Sequence, residues 1–151
     1  MKKVTDELMD ALSNQTSSVE DYLNDNRDEM ITINLRTFWA EMIEKSGMTK
    51  TEIIDRANCG YNYFYCIING KKIPSRDKII ELILAMKLSV DDCQKALKFS
   101  GRAPLYPRVK RDSIIIFGIN NSQTVYEISE ALKKNGETIF KNSGEINDEM
   151  S

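Results

Sequence analysis

Side chains able to do chemistry are sparse in this 151-residue chain, and their types exclude several mechanisms. The chain has no histidine, which removes every Ser–His or Cys–His nucleophile pair and every histidine-containing metal site. Its three cysteines, at positions 59, 66 and 93, lack CxxC spacing, so neither a zinc knuckle nor a thioredoxin-like motif is available. We therefore expect a protein that is not an enzyme and that uses no cofactor and no metal.

Two weaker chemical candidates also have structural explanations. The adjacent carboxylates Asp91 and Asp92 follow Ser89 at the start of a predicted helix, where capping and the helix dipole favour acidic residues. Ser113 follows basic residues and is a candidate phosphorylation site. Such short patterns are common by chance, and we expect Ser113 instead to cap a helix that begins after Pro107.

Charge is segregated along the chain, although the net charge is only −2. Residues 1–32 hold eight acids against three bases, and residues 141–151 carry a net −2, so residues 33–140 carry +5. The bases are densest in 69–78, with four against one acid, and in 98–111, with five and no acid. This distribution predicts a body that meets an anion, with acidic ends that solvate it or compete. An ordinary solvated surface is the alternative.

The composition, 41% hydrophobic and 29% charged, is typical of a soluble globular protein. The chain holds no run of about 18 apolar residues, the length that a membrane-spanning helix needs. An odd number of cysteines and the lack of a signal peptide favour reduced thiols in a cytoplasm. We therefore expect a cytoplasmic protein with no membrane partner.

Hydrophobic periodicity predicts five short helices between Asn34 and Gly101. Apolar residues at i, i+3, i+4, i+7 and i+8 mark the core-facing stripe of the first helix: Leu35, Phe38, Trp39, Met42 and Ile43. Thr49 and Glu52 have the spacing of a capping box, which starts the second helix. The remaining start and stop signals are Gly47, Gly70, Ser75, Ser89 and Gly101.

Further helices are predicted on either side of this region. We interpret 114–117 as helix rather than strand, because no partner strand exists elsewhere. A second capping box, at Thr124–Glu127, opens another helix. The chain is thus predicted to be all-α, with four parts: an acidic N-terminal tail with one or two marginal helices over 1–32, a domain over 33–101, a helical extension over 102–140 and a disordered tail over 141–151.

The segment from Met48 to Ser75 resembles the helix-turn-helix of the phage-repressor (Cro/repressor, XRE) family. It reads MTKTEIIDRANCGYNYFYCIINGKKIPS. The features that carry the resemblance are the capping-box Glu52, a short turn, Phe64, Ile67, Asn69-Gly70-Lys71-Lys72 and Pro74-Ser75. The resemblance implies a lambda-repressor-like five-helix domain over 33–101 with a C-terminal extension, and a bacterial DNA-binding transcriptional regulator.

The resemblance also assigns roles to particular residues. The third helix, 61–69, would enter the major groove, with Tyr61, Asn62 and Tyr65 facing the bases. An asparagine such as Asn62 pairs bidentately with adenine, and a tyrosine contacts a thymine methyl group or a phosphate. The residues expected at the DNA backbone are Thr49, Lys50, Asn69, Lys71 and Lys72.

Some features depart from the family pattern and favour another function. Ile54 stands where alanine is usual, Asn58 where glycine is usual, and Gly60 where a serine cap is usual. The exposed face of the third helix has no Arg, Lys or Gln, and the pI of about 5.3 is acidic. The alternative is a protein-interaction module that reuses the fold without binding DNA. We expect Tyr63 to be partly buried, more so than Tyr61 or Tyr65.

A regulator of this kind is expected to act as a homodimer, because one domain reads only a half-site. The stretch 102–135 is the candidate surface for a second copy or for a protein partner. It contains more large apolar residues than one helix face can bury: Ile114, Ile115, Ile116, Phe117 and Ile119. The sequence leaves open whether they form such a surface or cover the five-helix core.

Overall fold

The computed structural model describes residues 5–14, 18–25 and 34–140, and every regular element within these ranges is an α-helix. The predicted all-α class is therefore confirmed for these residues. The predicted disordered tail, 141–151, lies outside them. The chain divides into two compact units, Met1–Ile33 and Asn34–Ser151.

The first unit contains two short helices, α1 (Thr5–Asn14) and α2 (Val19–Asp25). Both carry acidic residues in the first turn, which interact favourably with the positive end of the helix dipole. Most of their described large apolar side chains are exposed, as Met9 and Leu12 illustrate. These helices therefore bury little apolar surface within their own unit.

The second unit is built from seven described helices. They are α3 (Leu35–Ser46), α4 (Lys50–Arg56), α5 (Tyr61–Ile68), α6 (Arg76–Ala85), α7 (Val90–Phe99), α8 (Lys110–Asn120) and α9 (Val125–Lys134). Helix α6 is the most deeply buried, since every residue from Lys78 to Ala85 is buried. Helices α4, α7 and α9 pack against it, and its apolar side chains belong to one continuous hydrophobic core.

Capping explains most of the helix boundaries. The predicted capping boxes at Thr49–Glu52 and Thr124–Glu127 are both present, and Ser89 with Asp92 forms a third. In each box the hydroxyl accepts the N3 amide while the N3 carboxylate accepts the N-cap amide. The local signals thus fix where α4, α7 and α9 begin, independently of tertiary packing.

The turn between α4 and α5 is short, and a side chain from α6 is hydrogen-bonded to it. Asn58 adopts the left-handed conformation, with φ of 51°, which asparagine tolerates better than most residues. Lys78 is fully buried on α6; its ammonium donates to the Asn58 carbonyl at 3.4 Å and lies 3.7 Å from the Glu81 carboxylate. The hydrogen bond from Lys78 therefore ties this turn to the central helix, and the Glu81 carboxylate on the same helix balances the buried charge of Lys78.

Residues 102–140 complete the same core. The side chains that they bury are Leu105, Ile115, Ile119, Ile128, Leu132 and Phe140. The helical interpretation of 114–117 is confirmed, because these residues lie within α8. Helices α8 and α9 approach closely at Gly118, where any Cβ atom would overlap the Ile128 side chain. The extension therefore belongs to the folded unit and covers the helices before it.

The expected capping role of Ser113 is wrong. The N-cap of α8 is Val109, which offers no side-chain hydrogen bond. The Ser113 hydroxyl lies inside the helix and donates to the carbonyls of Pro107 and Val109. In the first turn of α8, the Asp112 carboxylate instead accepts the Tyr106 amide of the preceding loop and pairs with Arg76.

Several bases of the two basic runs are engaged inside the fold. Arg76 binds Asp112 through two nitrogens, and Arg111 binds Asp77 in the same way. Each pair is bidentate, the geometry that makes arginine–carboxylate contacts strong. Together with the buried Lys78, they remove positive charge from the surface that the sequence predicted to meet an anion. The Arg102 guanidinium likewise donates to the Pro74 and Ile73 carbonyls.

Candidate nucleic-acid interface

Helix α5 has one buried and one exposed side. Tyr63, Phe64 and Ile67 face the core, and only 3% of Tyr63 is exposed, so its predicted burial is confirmed. On the other side, Tyr61 is 55% exposed, Asn62 is exposed and Tyr65 is half-buried. We call Tyr61, Asn62 and Tyr65 the α5 face. The three side chains predicted to contact bases are thus accessible on one short helix.

An aromatic and cationic row runs along this face. The Tyr61 and Tyr65 rings lie 5.3 Å apart between centroids, and the Lys50 ammonium lies 5.6 Å from the centre of the Tyr65 ring. A hydrogen bond with Tyr61 raises the pKa of the Tyr65 hydroxyl. The Tyr65 hydroxyl is therefore neutral near pH 7, and a tyrosine hydroxyl in that state both donates and accepts hydrogen bonds. The cation–π contact fixes Lys50 at the edge of the α5 face.

The N-terminus of α4 is occupied by its own capping box. The Thr49 hydroxyl accepts the Glu52 amide and donates to the Glu52 carboxylate, both at 3.1 Å. The Thr49 amide and hydroxyl lower the pKa of Glu52, so this carboxylate is ionised at neutral pH. At this end of the surface Lys50 therefore offers an exposed cation, whereas the hydroxyl of Thr49 is already engaged.

The loop after α5 is held against that helix. Asn69 is the C-cap of α5, and Gly70 has a φ of 76°, a conformation that favours glycine. The Cys66 carbonyl accepts the amides of both Lys71 and Lys72, at 2.9 and 3.1 Å. The Lys71 side chain is exposed and Lys72 is half-buried. The helix thus positions the two lysines directly at its own C-terminus.

The structure brings only some of the predicted site residues into contact. Tyr61, Tyr65 and Lys50 form the row described above, and Lys50 and Asn69 line a common pocket. Within residues 34–140, the Asn62 side chain makes no hydrogen bond or ring contact with these four. Nor does the Lys71 ammonium make a hydrogen bond or ion pair there. Asn62 is therefore positioned by the start of α5 and Lys71 by its end, rather than by the other site residues.

Sequence reasoning missed the pocket beside this surface. The pocket has a volume of about 310 Å³ and lies between α3 and α5, with Arg36 at its edge. Arg36 lies close to the loop after α5, since its backbone would lie 3.6 Å from a Cβ atom at position 70. No sequence signal marks Arg36, because it sits in the first turn of a core helix and meets this loop only after folding.

The thiol chemistry near the site is limited by burial. Desolvation raises the pKa of Cys93 to about 12, which leaves this thiol protonated. Cys59 and Cys66 are half-buried and, like Cys93, are not in a disulfide.

The parts of the chain that the structure describes hold no cluster of three or more cysteine or acidic residues suited to a metal ion. No helix in those parts is long and apolar enough to cross a membrane.

Comparisons with protein families, with curated proteins and with solved structures found no match to this chain. The site is therefore interpreted from its own residues, namely an aromatic and amide face on α5 with lysines at either end.

Proposed function

We propose that the protein is a sequence-specific DNA-binding transcriptional regulator that reads the major groove with α5. In this proposal α3 to α7 form a lambda-repressor-like helix-turn-helix domain, with α4 and α5 as its two motif helices. Residues 102–140 are the C-terminal extension. A major groove about 12 Å wide admits one such helix.

The observation that carries the proposal is the division of α5 into two sides. Phe64 and Ile67 anchor the helix in the core, whereas Tyr61 and Asn62 remain accessible. A helix of eight residues held in this way presents rigid side chains to a partner, so little conformational entropy is lost on binding. The Asn62 amide offers the donor and acceptor pair that matches the adenine edge.

The lysines supply the sequence-independent part of binding. Lys50 lies at one end of the α5 face and Lys71 just beyond the other, so both flank a helix seated in a groove. Phosphate contacts of this kind fix the position of a protein on the duplex. Thr49 acts indirectly in this proposal, because its capping box holds the start of α4 and so positions Lys50. Asn69, exposed at the end of α5, is the remaining proposed contact to the DNA backbone.

We propose a homodimer, with α8 as its contact surface. Phe117 is 62% exposed, and Ile114, one turn earlier on the same side of α8, is half-buried. We call these two residues the α8 face. Aromatic residues such as phenylalanine are enriched at the centres of protein interfaces. Two copies joined here would read two half-sites, as dimeric helix-turn-helix proteins do.

A selection from random duplex DNA at two salt concentrations tests the function directly. We expect one enriched sequence, with an affinity that falls steeply from about 50 to 200 mM salt because contacted phosphates release counterions. The selection is repeated with the double variant Y61A/N62A, which retains the buried side of α5. Failure to enrich any sequence with the wild-type protein would overturn the proposal, as would equal enrichment with the double variant.

The alternative is a protein-interaction module without DNA binding. The observation in its favour is the contact between the Tyr61 and Tyr65 rings, since accessible tyrosines anchor protein interfaces as readily as they contact DNA. Salt separates the two functions. An aromatic interface responds weakly to salt, whereas binding to phosphates weakens strongly.

A further inference from the structure

The pocket between α3 and α5 has the size of a small-molecule site. Its volume of about 310 Å³ lies at the lower end of the range for such sites, roughly 300–1,000 Å³. Ala40 and Ile43 of α3 and Ile68 of α5 supply an apolar lining. A ligand that covers these side chains would remove apolar surface from water, which favours binding.

The charged side chains that line this pocket are net positive. Arg36 and Lys50 contribute two cations and Glu44 contributes one carboxylate, so the lining carries a net charge of +1. Within residues 34–140, neither the Arg36 guanidinium nor the Glu44 carboxylate makes a hydrogen bond or ion pair. An arginine in this state offers a planar fork of donors that fits a carboxylate. The presence of Glu44 favours a monoanion over a phosphate dianion.

The same pocket shares residues with the candidate DNA interface. Lys50 lines the pocket and also lies over the Tyr65 ring of the α5 face, and Asn69 both lines the pocket and caps α5. An anion bound beside Lys50 would draw its ammonium away from Tyr65 and from a DNA phosphate. Occupancy of the pocket and binding of DNA would then oppose each other, and thermodynamic linkage makes such opposition reciprocal.

We infer that this pocket binds a small amphipathic monoanion, with a carboxylate held by Arg36 and Lys50 and an apolar body against Ile43 and Ile68. We further infer that this occupant weakens DNA binding, a step that rests on the proposed function. The protein would accordingly release DNA in response to an organic acid.

Octanoate is a suitable probe, because it joins a carboxylate to a short apolar chain. Isotope-labelled full-length protein is titrated with octanoate while the backbone amide shifts are recorded. We expect saturable shifts at Ala40, Ile43 and Asn69. Octanol, which lacks the charge, and acetate at the same ionic strength, which lacks the chain, are expected to produce much weaker binding. Equal binding of octanol, or shifts confined to other regions such as α8, would overturn the inference.

Matched variants separate the charge from the apolar lining. Arg36→Gln is expected to weaken octanoate binding at least about fivefold, because a charge-assisted hydrogen bond is lost. Ala40→Leu fills the pocket from an exposed helix position that tolerates leucine and should abolish the shifts. Arg108→Gln removes an exposed arginine outside the pocket and serves as the control. An unchanged affinity in both pocket variants would contradict the assignment.

The effect on DNA is measured separately, with the selected duplex. Octanoate should weaken DNA binding by the wild-type protein and leave the Ala40→Leu protein unaffected. If no duplex is bound but the amide shifts still saturate, the pocket stands and the DNA function fails. If duplex is bound but octanoate produces no saturable shifts, the pocket inference alone fails.

Discussion

Two exposed aromatic surfaces of the second unit differ in what surrounds them. On the α5 face the tyrosines carry hydroxyls and lie beside Lys50, with Asn62 between them in sequence. On the α8 face Phe117 has no polar group and lies one turn from Ile114. The first surface suits a hydrated and anionic partner, and the second suits an apolar one. Aromatic exposure alone therefore does not define a binding function; the neighbouring groups do.

The largest expected effect comes from deleting the region that carries the α8 face. A chain ending at Gly101 loses the core side chains of the extension, each of which contributes about 1.5–3 kcal/mol when fully buried. It also removes Asp112, which pairs with Arg76, and Arg111, which pairs with Asp77. Because whole domains are stable by only about 5–15 kcal/mol, we expect this chain not to fold. Circular dichroism and thermal denaturation test this.

The control for that deletion is a chain ending at Phe140, which retains all the described helices of the second unit and should unfold cooperatively. If the chain ending at Gly101 folded and still bound the selected duplex, the α5 face would be independent of the extension. The two surfaces would then belong to separable modules, contrary to the single core.

The next effect concerns sequence reading by the α5 face. Asn62→Ala should weaken binding to the selected duplex by about 1–3 kcal/mol, the value of one bidentate base contact, and should change binding to random duplex much less. Fluorescence anisotropy with both duplexes measures the difference. Asn135→Ala, at an exposed asparagine after α9 and outside the α8 face, is the matched control. Equal losses on both duplexes would show that Asn62 does not read a base.

The α8 face is tested by Phe117→Ser. We expect the dimer to dissociate more readily by about 1–2 kcal/mol, since a large exposed apolar side chain at an interface centre contributes on this scale. Sedimentation over a range of protein concentrations measures it. The free energy of monomer unfolding should change little, because Phe117 lies outside the core. Ile73→Ser, at another exposed apolar position, provides the comparison. A wild-type protein that remains monomeric at all concentrations would refute the dimer.

The smallest effect is expected at the lysines beyond α5. Lys71→Ala and Lys72→Ala should weaken binding to all duplexes alike and reduce the slope of log affinity against log salt by about 1 each. Lys95→Ala, at an exposed lysine on α7, should leave the slope unchanged. If the slope were the same in all three variants, these lysines would not contact phosphates and the contrast between the two surfaces would lose its electrostatic part.

Local signals in the sequence predicted the helices well, because capping is a short-range interaction. Thr49 with Glu52, Ser75 and Gly47 each act within a few residues, and each lies at the expected boundary. The prediction for Ser113 was wrong because its hydroxyl donates to backbone carbonyls, while the loop before α8 is held by Asp112, whose partner Arg76 is distant in sequence. A long-range ion pair of this kind leaves no local pattern.

The candidate site could be predicted in part for the same reason. The exposed and buried sides of α5 follow from helical spacing, which separates Tyr61 and Tyr65 from Phe64 and Ile67. The pocket at Arg36 could not be predicted, since it depends on how α3 packs on α5. Nor could the sequence reveal that Arg111 is paired with Asp77, so the basic runs overstated the positive charge of the surface.

The single core that spans residues 38–140 has a consequence for synthesis on the ribosome. Helix α6 remains partly uncovered until α8 and α9 are available, and Phe140 is the last core side chain among the described residues to be translated. At about 5–20 residues per second, the 39 residues after Gly101 take roughly 2–8 s to add. During that interval the nascent chain exposes apolar surface, so we expect a requirement for chaperone protection that ends only when the chain emerges past residue 140.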